Sequence, residues 1–350
     1  IDPCRLLRVG RIVTPDQQRF ESVLEGISRG STADIKVLLA SLRPSEVAGV
    51  LAANLPETRQ IIWGLLDEDV RNQSLQYLHD DVRGQFLETM NTAQLVAVAE
   101  ELDTDDFADI LQQLPQTITH QVLENLDSRD RARVESVLSY PEDSAGGLMN
   151  TDAITVRPRH AAELVLRYLR LRRELPATTD ALIVVNSRDE YLGVLPITKL
   201  LTADPSVTVR EIMNSEELPI HVSKSDTEVA RLFSEHDLIS APVVDDAGHL
   251  LGRITIDDVV DVIIEDAEEA VLGPAGLLVD EDTFAPVRRA VRRRAVWLGI
   301  NLITALMAAA VISLFEDTIV KVVALAVLMP VVASMGGIAG TQTLTLVVRG

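Results

Sequence analysis

The acidic run between residues 257 and 269 is the part of the sequence best suited to bind a cation. Its carboxylates recur three or four residues apart, so on a helix they share one face, where like charges are destabilising unless something neutralises them. A hard divalent cation such as Mg²⁺ or Ca²⁺, which prefers oxygen ligands, would neutralise them. The alternative is a solvated helix that its charge keeps soluble. The carboxylates of this face are Asp258, Asp261, Glu265 and Glu269, with Asp266 beside them.

Two further acidic groups occur upstream. The first begins a predicted helix, where carboxylates cap the helix and interact favourably with its dipole. The group contains more carboxylates than a cap needs. Its members are Asp103, Asp105, Asp106 and Asp109, and the second, weaker group consists of Asp226, Glu228 and Asp237. Apart from His236, which directly precedes Asp237, no His or Cys adjoins these groups, so a transition-metal site is poorly supported. The predicted ligands of such a divalent cation are Asp105, Asp109, Asp226, Glu228, Asp237, Asp258, Asp261, Glu265, Asp266 and Glu269.

The distribution of charge excludes nucleic acid as a partner. The chain of 350 residues carries a formal net charge of -21. Seven basic and two acidic residues stand at or after Arg288, a net +5, so the residues before it carry a net -26. Such an acidic region repels phosphates and needs compensating cations. No catalytic triad, Walker motif or Gly-rich phosphate loop occurs in the sequence, so we expect no enzyme. Cys4 is the single cysteine, so the chain cannot form an internal disulfide.

The sequence as far as residue 140 predicts short amphipathic helices separated by Pro, Asp and Asn. A pattern of leucines with Pro56 and Asp67 recurs about 59 residues later with Pro115 and Asp127. This loose match indicates a repeated helical unit and therefore a small superhelical, solenoid-like domain.

After residue 140, short β-rich runs alternate with helices in two similar copies. The pair Gly193 and Gly252 and the valines before them share an offset of 59 residues. Two tandem β-α-β-β-α units of this kind resemble a pair of CBS domains. The resemblance implies an adenosyl ligand such as ATP, contacted by Thr255 and Asp258, but these two residues equally predict an N-cap for the next helix. The first copy has Pro196 and Lys199 instead, which weakens its half of such a site.

Two apolar runs follow. The run over residues 296–315 is long enough to cross a bilayer, and five arginines precede it, so the positive-inside rule places the preceding domains in the cytoplasm. The second run covers residues 322–348. The alternative, a buried hairpin of core helices, fits poorly with the arginine flank.

The order of these elements resembles the MgtE family of Mg²⁺ channels, as does the sequence between Met329 and Thr343. The resemblance implies a homodimer in the cell (inner) membrane, a pore on the dimer axis, and cytosolic domains that bind Mg²⁺ and close it. The fold expected is an all-α superhelical N-terminal domain, an α/β tandem CBS pair and α-helical transmembrane segments. The corresponding boundaries are 1–140 for the helical domain, 141–205 and 206–263 for the CBS domains, 264–290 for a connecting helix, and 291–350 for two transmembrane helices.

The second apolar run also predicts the residues that line the pore. Pro330 and the glycines of this run are expected to break the helix and free backbone carbonyls for an ion. The alternative is a packing face of small residues. The family has Asn where this chain has Ile338, which cannot coordinate a hydrated ion. The predicted lining residues are Gly336, Gly337, Ile338 and Thr341.

The sequence therefore predicts a Mg²⁺ channel or transporter whose acidic cytosolic surfaces sense Mg²⁺ and gate the pore. Two alternatives remain open at this point. One is a nucleotide-sensing CBS regulator of a membrane protein, which requires an intact adenosyl pocket. The other is a carrier of another divalent cation, such as Co²⁺, against which the lack of His and Cys near the apolar runs argues.

Overall fold

The computed structural model describes residues 32–172, 175–176, 178–273, 277, 279, 282–285, 287–321 and 323–349. The chain divides into two compact units, residues 1–285 and 286–350. The first 31 residues, which the sequence analysis assigns to the helical domain, lie outside the described residues.

The first part of the larger unit consists of short helices. Pro44 and Pro56 each occupy the first position of a helix, where the fixed φ of proline suits the helix and its missing N–H is not needed. The helices bury one apolar face each in a common core, in which the rings of Trp63 and Phe86 stack with centroids 4.1 Å apart. They are α1 (Thr32–Leu39), α2 (Pro44–Ala52), α3 (Pro56–Leu65), α4 (Glu68–Ser74), α5 (Asp80–Leu87), α6 (Thr92–Glu101), α7 (Thr104–Gln112), α8 (Gln116–Asn125) and α9 (Ser128–Leu138).

The predicted helical repeat has a structural counterpart. Pro56 begins α3 and Pro115 directly precedes α8, while Asp67 and Asp127 are the N-cap residues of α4 and α9. The triplet α2–α4 thus corresponds to the triplet α7–α9, because the same proline and aspartate signals start equivalent helices.

Two β-α-β-β-α units follow, as predicted. In each, the first strand is parallel to the second and the second is antiparallel to the third. The first unit comprises β1 (Thr155–Val156), α10 (Ala162–Arg172), β2 (Ala181–Val185), β3 (Tyr191–Pro196) and α11 (Ile197–Thr202). After α12 (Val209–Ile212), the second comprises β4 (Ile220–His221), α13 (Asp226–His236), β5 (Ser240–Val244), β6 (Leu250–Thr255) and α14 (Ile256–Leu272).

Each unit donates a short segment to the sheet of the other. Asn150, which precedes the first unit, pairs with Arg253 on β6, and Asn214, which precedes the second, pairs with Val194 on β3. Glycine is required where these segments cross. A Cβ at Gly193 would lie 2.3 Å from the carbonyl oxygen of Asn214, and one at Gly252 would lie 2.6 Å from that of Asn150. The offset of 59 residues between the two glycines therefore reflects equivalent crossings.

We expect Gly252→Ala to destabilise the larger unit by about 1–3 kcal/mol, because the obstructing atom is backbone and must move. Gly64→Ala is the matched control, since a Cβ at this helical glycine meets nothing within 4 Å. The control should be neutral or stabilising by up to about 1 kcal/mol. Urea unfolding of both variants measures the difference, and equal stabilities would contradict the close crossing.

The helix α14 continues without interruption through the predicted boundary at residues 263 and 264. No Gly or Pro lies within it to end the second unit there. The last strand of the second unit is therefore joined rigidly to the acidic segment that follows.

The smaller unit comprises α15 (Val287–Ser313), α16 (Glu316–Lys321) and α17 (Val323–Arg349). The expectation that Pro330 and the glycines break the second apolar run was wrong, because α17 is one helix with Pro330 inside it. A glycine costs a helix only about 1 kcal/mol, whereas a break leaves several backbone groups without partners. Of the described residues, the span Arg294–Ser313, with mean hydropathy 2.2, is long and apolar enough to cross a membrane.

Candidate functional site

The helical domain and the second β-α-β-β-α unit meet over an apolar surface. Ala108 of α7 and Val137 of α9 belong to the same buried cluster as Val259 and Val262 of α14. The segment after α9 joins this cluster through Ala145, whose N–H donates to the carbonyl of Lys224 at 2.8 Å. This packing holds the acidic start of α7 against the acidic face of α14.

A cavity of about 170 Å³ lies where these elements meet. Its walls are strongly acidic, and the described residues that line it include neither His nor Cys. The nine carboxylates that line it are Asp105, Asp106, Asp109, Glu142, Asp143, Asp226, Asp258, Asp261 and Glu265. We call this set the acidic cavity.

Asp105 is the most deeply placed member of the acidic cavity. The residue is 6% exposed, and its Oδ1 atom has no hydrogen-bond partner. Burial raises the pKa of this carboxyl well above its usual range, and the neighbouring charges of Asp258 and Asp106 raise it further. A buried carboxylate without a partner is costly, so Asp105 favours a proton or a cation.

The pKa values of the carboxyls around Asp105 are also raised. Burial and the charges of Asp258 and Asp103 raise the pKa of Asp106 to about 8. Burial and the charge of Glu142 raise the pKa of Asp109 to about 7, against a lowering influence from Arg83. The pKa of Asp258 is also raised to about 7, by burial and then by Asp257. The positive charge near these carboxyls is therefore too small to keep them fully ionised at neutral pH.

The geometry suits a hydrated cation better than a fully dehydrated one. Among the residues that the structure describes, no three His, Cys, Asp or Glu side chains are grouped closely enough to hold a metal ion directly. Mg²⁺ dehydrates reluctantly and usually keeps several of its waters, so carboxylates at some distance can bind it through them. The cavity volume leaves room for such waters.

The structure brings together six of the ten predicted metal ligands and separates the other four. Glu228 forms an ion pair with Lys224, and Asp237 ends α13 in a left-handed conformation and lines a different cavity. Asp266 and Glu269 are exposed on α14 and are not among the lining residues. The six that meet are Asp105, Asp109, Asp226, Asp258, Asp261 and Glu265.

Three lining residues were not among the predicted ligands. Asp106 belongs to the predicted acidic group at the start of α7 but was not itself predicted as a ligand. Glu142 and Asp143 lie in the segment between α9 and the first unit. Helical spacing cannot reveal the last two, because they approach α14 only through the fold. The Tyr140-Pro-Glu-Asp sequence was the available signal, since it marks a turn rich in carboxylates.

Thr255 has a structural partner. Its N–H and Oγ1 both lie near Asp258 Oδ2, at 3.3 and 2.9 Å, in the predicted N-cap arrangement at the start of α14. A separate cavity of about 560 Å³ is lined by Asp180, Lys224, His236 and Ser240 among others. Thr255 is not among the described residues that line it.

The predicted pore residues lie on α17. Thr341 Oγ1 donates to the carbonyl of Gly337 at 3.0 Å, so these two residues share a helix face with Ile338. Their relation to an ion stays a prediction.

Comparison with known proteins places these features in one family. Residues 42–143 match the family model of the MgtE intracellular N domain, and residues 209–265 match that of the CBS domain. The chain is 32% identical to the magnesium transporter MgtE of Thermus thermophilus over 94% of this chain and 74% of that one. It is 28% identical to the magnesium transporter MgtE of Bacillus subtilis over 92% and 71% of the two chains.

Solved structures give the same result. The crystal structure of the cytosolic domain of the Mg²⁺ channel MgtE in complex with ATP superposes with a TM-score of 0.63 at 33% identity, over 69% of this chain and 99% of that one. The soluble part of a magnesium transporter superposes with a TM-score of 0.60 at 22% identity, over 72% and 99% of the two chains, and supports the fold alone.

Proposed function

Because the chain belongs to the MgtE family of magnesium transporters, we propose that the acidic cavity is its Mg²⁺ sensor and that occupancy of the cavity gates transport. Mg²⁺ is the transported substrate of this family. The buried, unpartnered Oδ1 of Asp105 is the observation that carries the proposal. A group of this kind is neutralised by a proton or a cation, and the oxygen ligands around it suit a hard divalent cation.

Mass action then couples Mg²⁺ to conformation. The cavity exists only while α7 lies against α14, so cations bound there stabilise the docked arrangement and not an undocked one. Without cations, the facing carboxylates of the two helices repel. At a concentration 100 times the dissociation constant, one site contributes about 2.7 kcal/mol, so two or three weak sites make the response steep.

The membrane part of the proposal rests on family membership together with the apolar helices. We place α15 and α17 as transmembrane helices in the cell (inner) membrane, with the larger unit in the cytoplasm. The arginines at the start of α15 support this orientation. The pore is proposed to pass along the part of α17 that holds Gly336, Gly337, Ile338 and Thr341.

A homodimer is also proposed. In the single chain, α10 and α14 expose apolar side chains that a second copy would cover. On α10 these include Leu164 and Leu171, which are 52% and 74% exposed, and on α14 they include Val260, Ile263 and Ile264.

Uptake of Mg²⁺ tests the proposed transport function. Expressed from its own gene in cells that lack their Mg²⁺ uptake systems, the protein should restore growth at low Mg²⁺ but should not restore Co²⁺ supply.

Ile338→Asn should raise the initial Mg²⁺ uptake rate, because Asn offers an oxygen to a hydrated ion and Ile does not. Thr343→Val, elsewhere on α17, is the control. Equal rates for Ile338→Asn and the parent would mean that position 338 does not face the ion.

A nucleotide is a second proposed ligand. The cavity of about 560 Å³ contains a carboxylate at Asp180, which can accept hydrogen bonds from a ribose, and a cation at Lys224. The related cytosolic domain whose structure was solved with ATP supports ATP as the ligand. Equilibrium dialysis with ATP tests this proposal separately from transport.

A further inference from the structure

A buried ion pair joins the helical domain to the segment that leads into α15. Arg59 of α3 donates from Nη1 to Asp282 Oδ2 at 2.6 Å and from Nη2 to Asp282 Oδ1 at 2.7 Å. The two side chains are 0% and 2% exposed. Bidentate, fully buried arginine–carboxylate pairs are among the strongest and most specific polar contacts in proteins.

The helical domain is built to receive this carboxylate. The remaining donors of Arg59 are used by the domain itself, in bonds to the carbonyls of Leu51 and Ala52 and to Gln85 Oε1. The guanidinium is thus fixed, with its bidentate edge directed at Asp282. Gln85 Nε2 also donates to Asp282 Oδ2 at 3.0 Å. We call Arg59 and Gln85 the socket for Asp282. Without the Asp282 carboxylate, the socket would contain the buried guanidinium of Arg59 with no negative charge to pair with it.

The segment around Asp282 is folded to fit the socket. The N–H of Phe284 donates to Asp282 Oδ1 at 2.9 Å, and the Phe284 ring centroid lies 5.8 Å from Arg59 Cζ. The N–H of Ala285 donates to the carbonyl of Asp282 at 3.0 Å. The contact therefore orders a short turn that ends shortly before Val287, where α15 begins.

We propose that Arg59 and Asp282 form a latch that holds the segment before α15 on the helical domain, so that movement of this domain pulls on α15 directly, in addition to acting through α14. The contacts of the latch involve none of the carboxylates that line the acidic cavity, so the latch does not depend on the cavity. Only its consequence for gating rests on the proposed sensing function.

Amide hydrogen exchange with mass spectrometry tests the latch in the membrane-embedded protein at saturating Mg²⁺. The peptide that contains Asp282–Ala285 should exchange slowly in the parent and on the order of a hundredfold faster in Asp282→Asn, because breaking a buried pair releases the turn. Arg71→Met is the matched control, since Arg71 pairs with Glu68 inside the helical domain. It should leave this peptide unchanged.

The unpaired Arg59 left by Asp282→Asn can itself loosen the helical domain, so the double variant Arg59→Met with Asp282→Asn provides the decisive measurement. Its socket is uncharged, and peptides from α7 to α9 report whether the domain stays folded. Fast exchange at Asp282–Ala285 with slow exchange in α7–α9 supports the latch. Parental exchange at Asp282–Ala285 in the double variant overturns it.

Transport measured on the same variants separates the latch from the sensor. Mg²⁺ should still slow exchange in α7 and α14 of the double variant, while inhibition of flux by Mg²⁺ weakens. Absence of Mg²⁺ protection in α7 and α14 of the parent would refute the sensor and leave the latch standing. Unchanged inhibition of flux in a variant whose segment is released would refute the coupling to α15.

Discussion

Replacing both Asp105 and Asp258 by Asn is expected to make the docking of the helical domain independent of Mg²⁺. Asp105 is the most deeply buried member of the acidic cavity, and the charge of Asp258 raises the cost of ionising Asp105, Asp106 and Asp109. Asn keeps the size and an acceptor for Thr255 but removes the negative charge. The variant should therefore dock without a cation and no longer respond to one.

Limited proteolysis across a Mg²⁺ titration measures this effect, in high NaCl so that simple screening is already saturated. The parent should be cleaved readily without Mg²⁺ and be protected up to about a hundredfold at 100 times the dissociation constant. The double Asn variant should resist cleavage at every Mg²⁺ concentration. An undiminished Mg²⁺ response in this variant would show that the cavity is not the sensor.

The same helix provides the control. Asp266 and Glu269 lie on α14 and carry equal charge, but neither lines the cavity. Asp266→Asn with Glu269→Gln should therefore keep the parental Mg²⁺ response. A loss of response in this control would mean that the overall charge of α14, and not the cavity, governs docking.

Without divalent cations, docking is expected to weaken as the pH rises from about 4 to about 8. The pKa of Asp106 in the docked state is raised to about 8, and those of Asp109 and Asp258 to about 7. In an undocked state these carboxyls return towards their ordinary range of about 4. The docked state therefore binds more protons, and its stability is greatest below pH 4 and is lost as the pH rises through 7 to 8.

The expected slope is about 1.4 kcal/mol per pH unit for each proton bound. Proteolysis in the presence of a chelator should show protection at pH 5 and cleavage at pH 9, and saturating Mg²⁺ should flatten the profile. Because protons and Mg²⁺ compete for the same carboxylates, the apparent Mg²⁺ affinity should rise with pH. A flat profile in chelator would contradict the raised pKa values.

Much of the fold follows from local signals. The proline and aspartate pattern with Pro56, Asp67, Pro115 and Asp127 fixes where helices of the repeat begin, because caps act within one turn. The strands and helices of the two β-α-β-β-α units follow from apolar runs that glycines and turn residues delimit. The prediction of a break in α17 was wrong because the need of an apolar helix to hydrogen-bond its backbone groups outweighs the local helix-breaking tendency of Pro and Gly.

One wall of the acidic cavity could also be predicted from the sequence, since helical spacing alone places Asp258, Asp261 and Glu265 on one face of α14. The same spacing also predicted Glu269 as a ligand, which was wrong, because helical spacing carries no information about which part of α14 the opposing helix α7 covers. Which acidic group lies opposite is decided by the packing of Ala108 and Val137 against the core of the second unit.

The family, the helical and β-rich parts and the need for a cation could be predicted from the amino-acid sequence, because they depend on composition, periodicity and motifs close together in the chain. The burial of Asp105 without a partner for its Oδ1 atom and the contribution of Glu142 and Asp143 to the cavity are visible only in the three-dimensional structure. The same is true of the contact between Arg59 and Asp282, which are 223 residues apart. Burial and pairing over such distances depend on how apolar faces pack, and no local pattern encodes that.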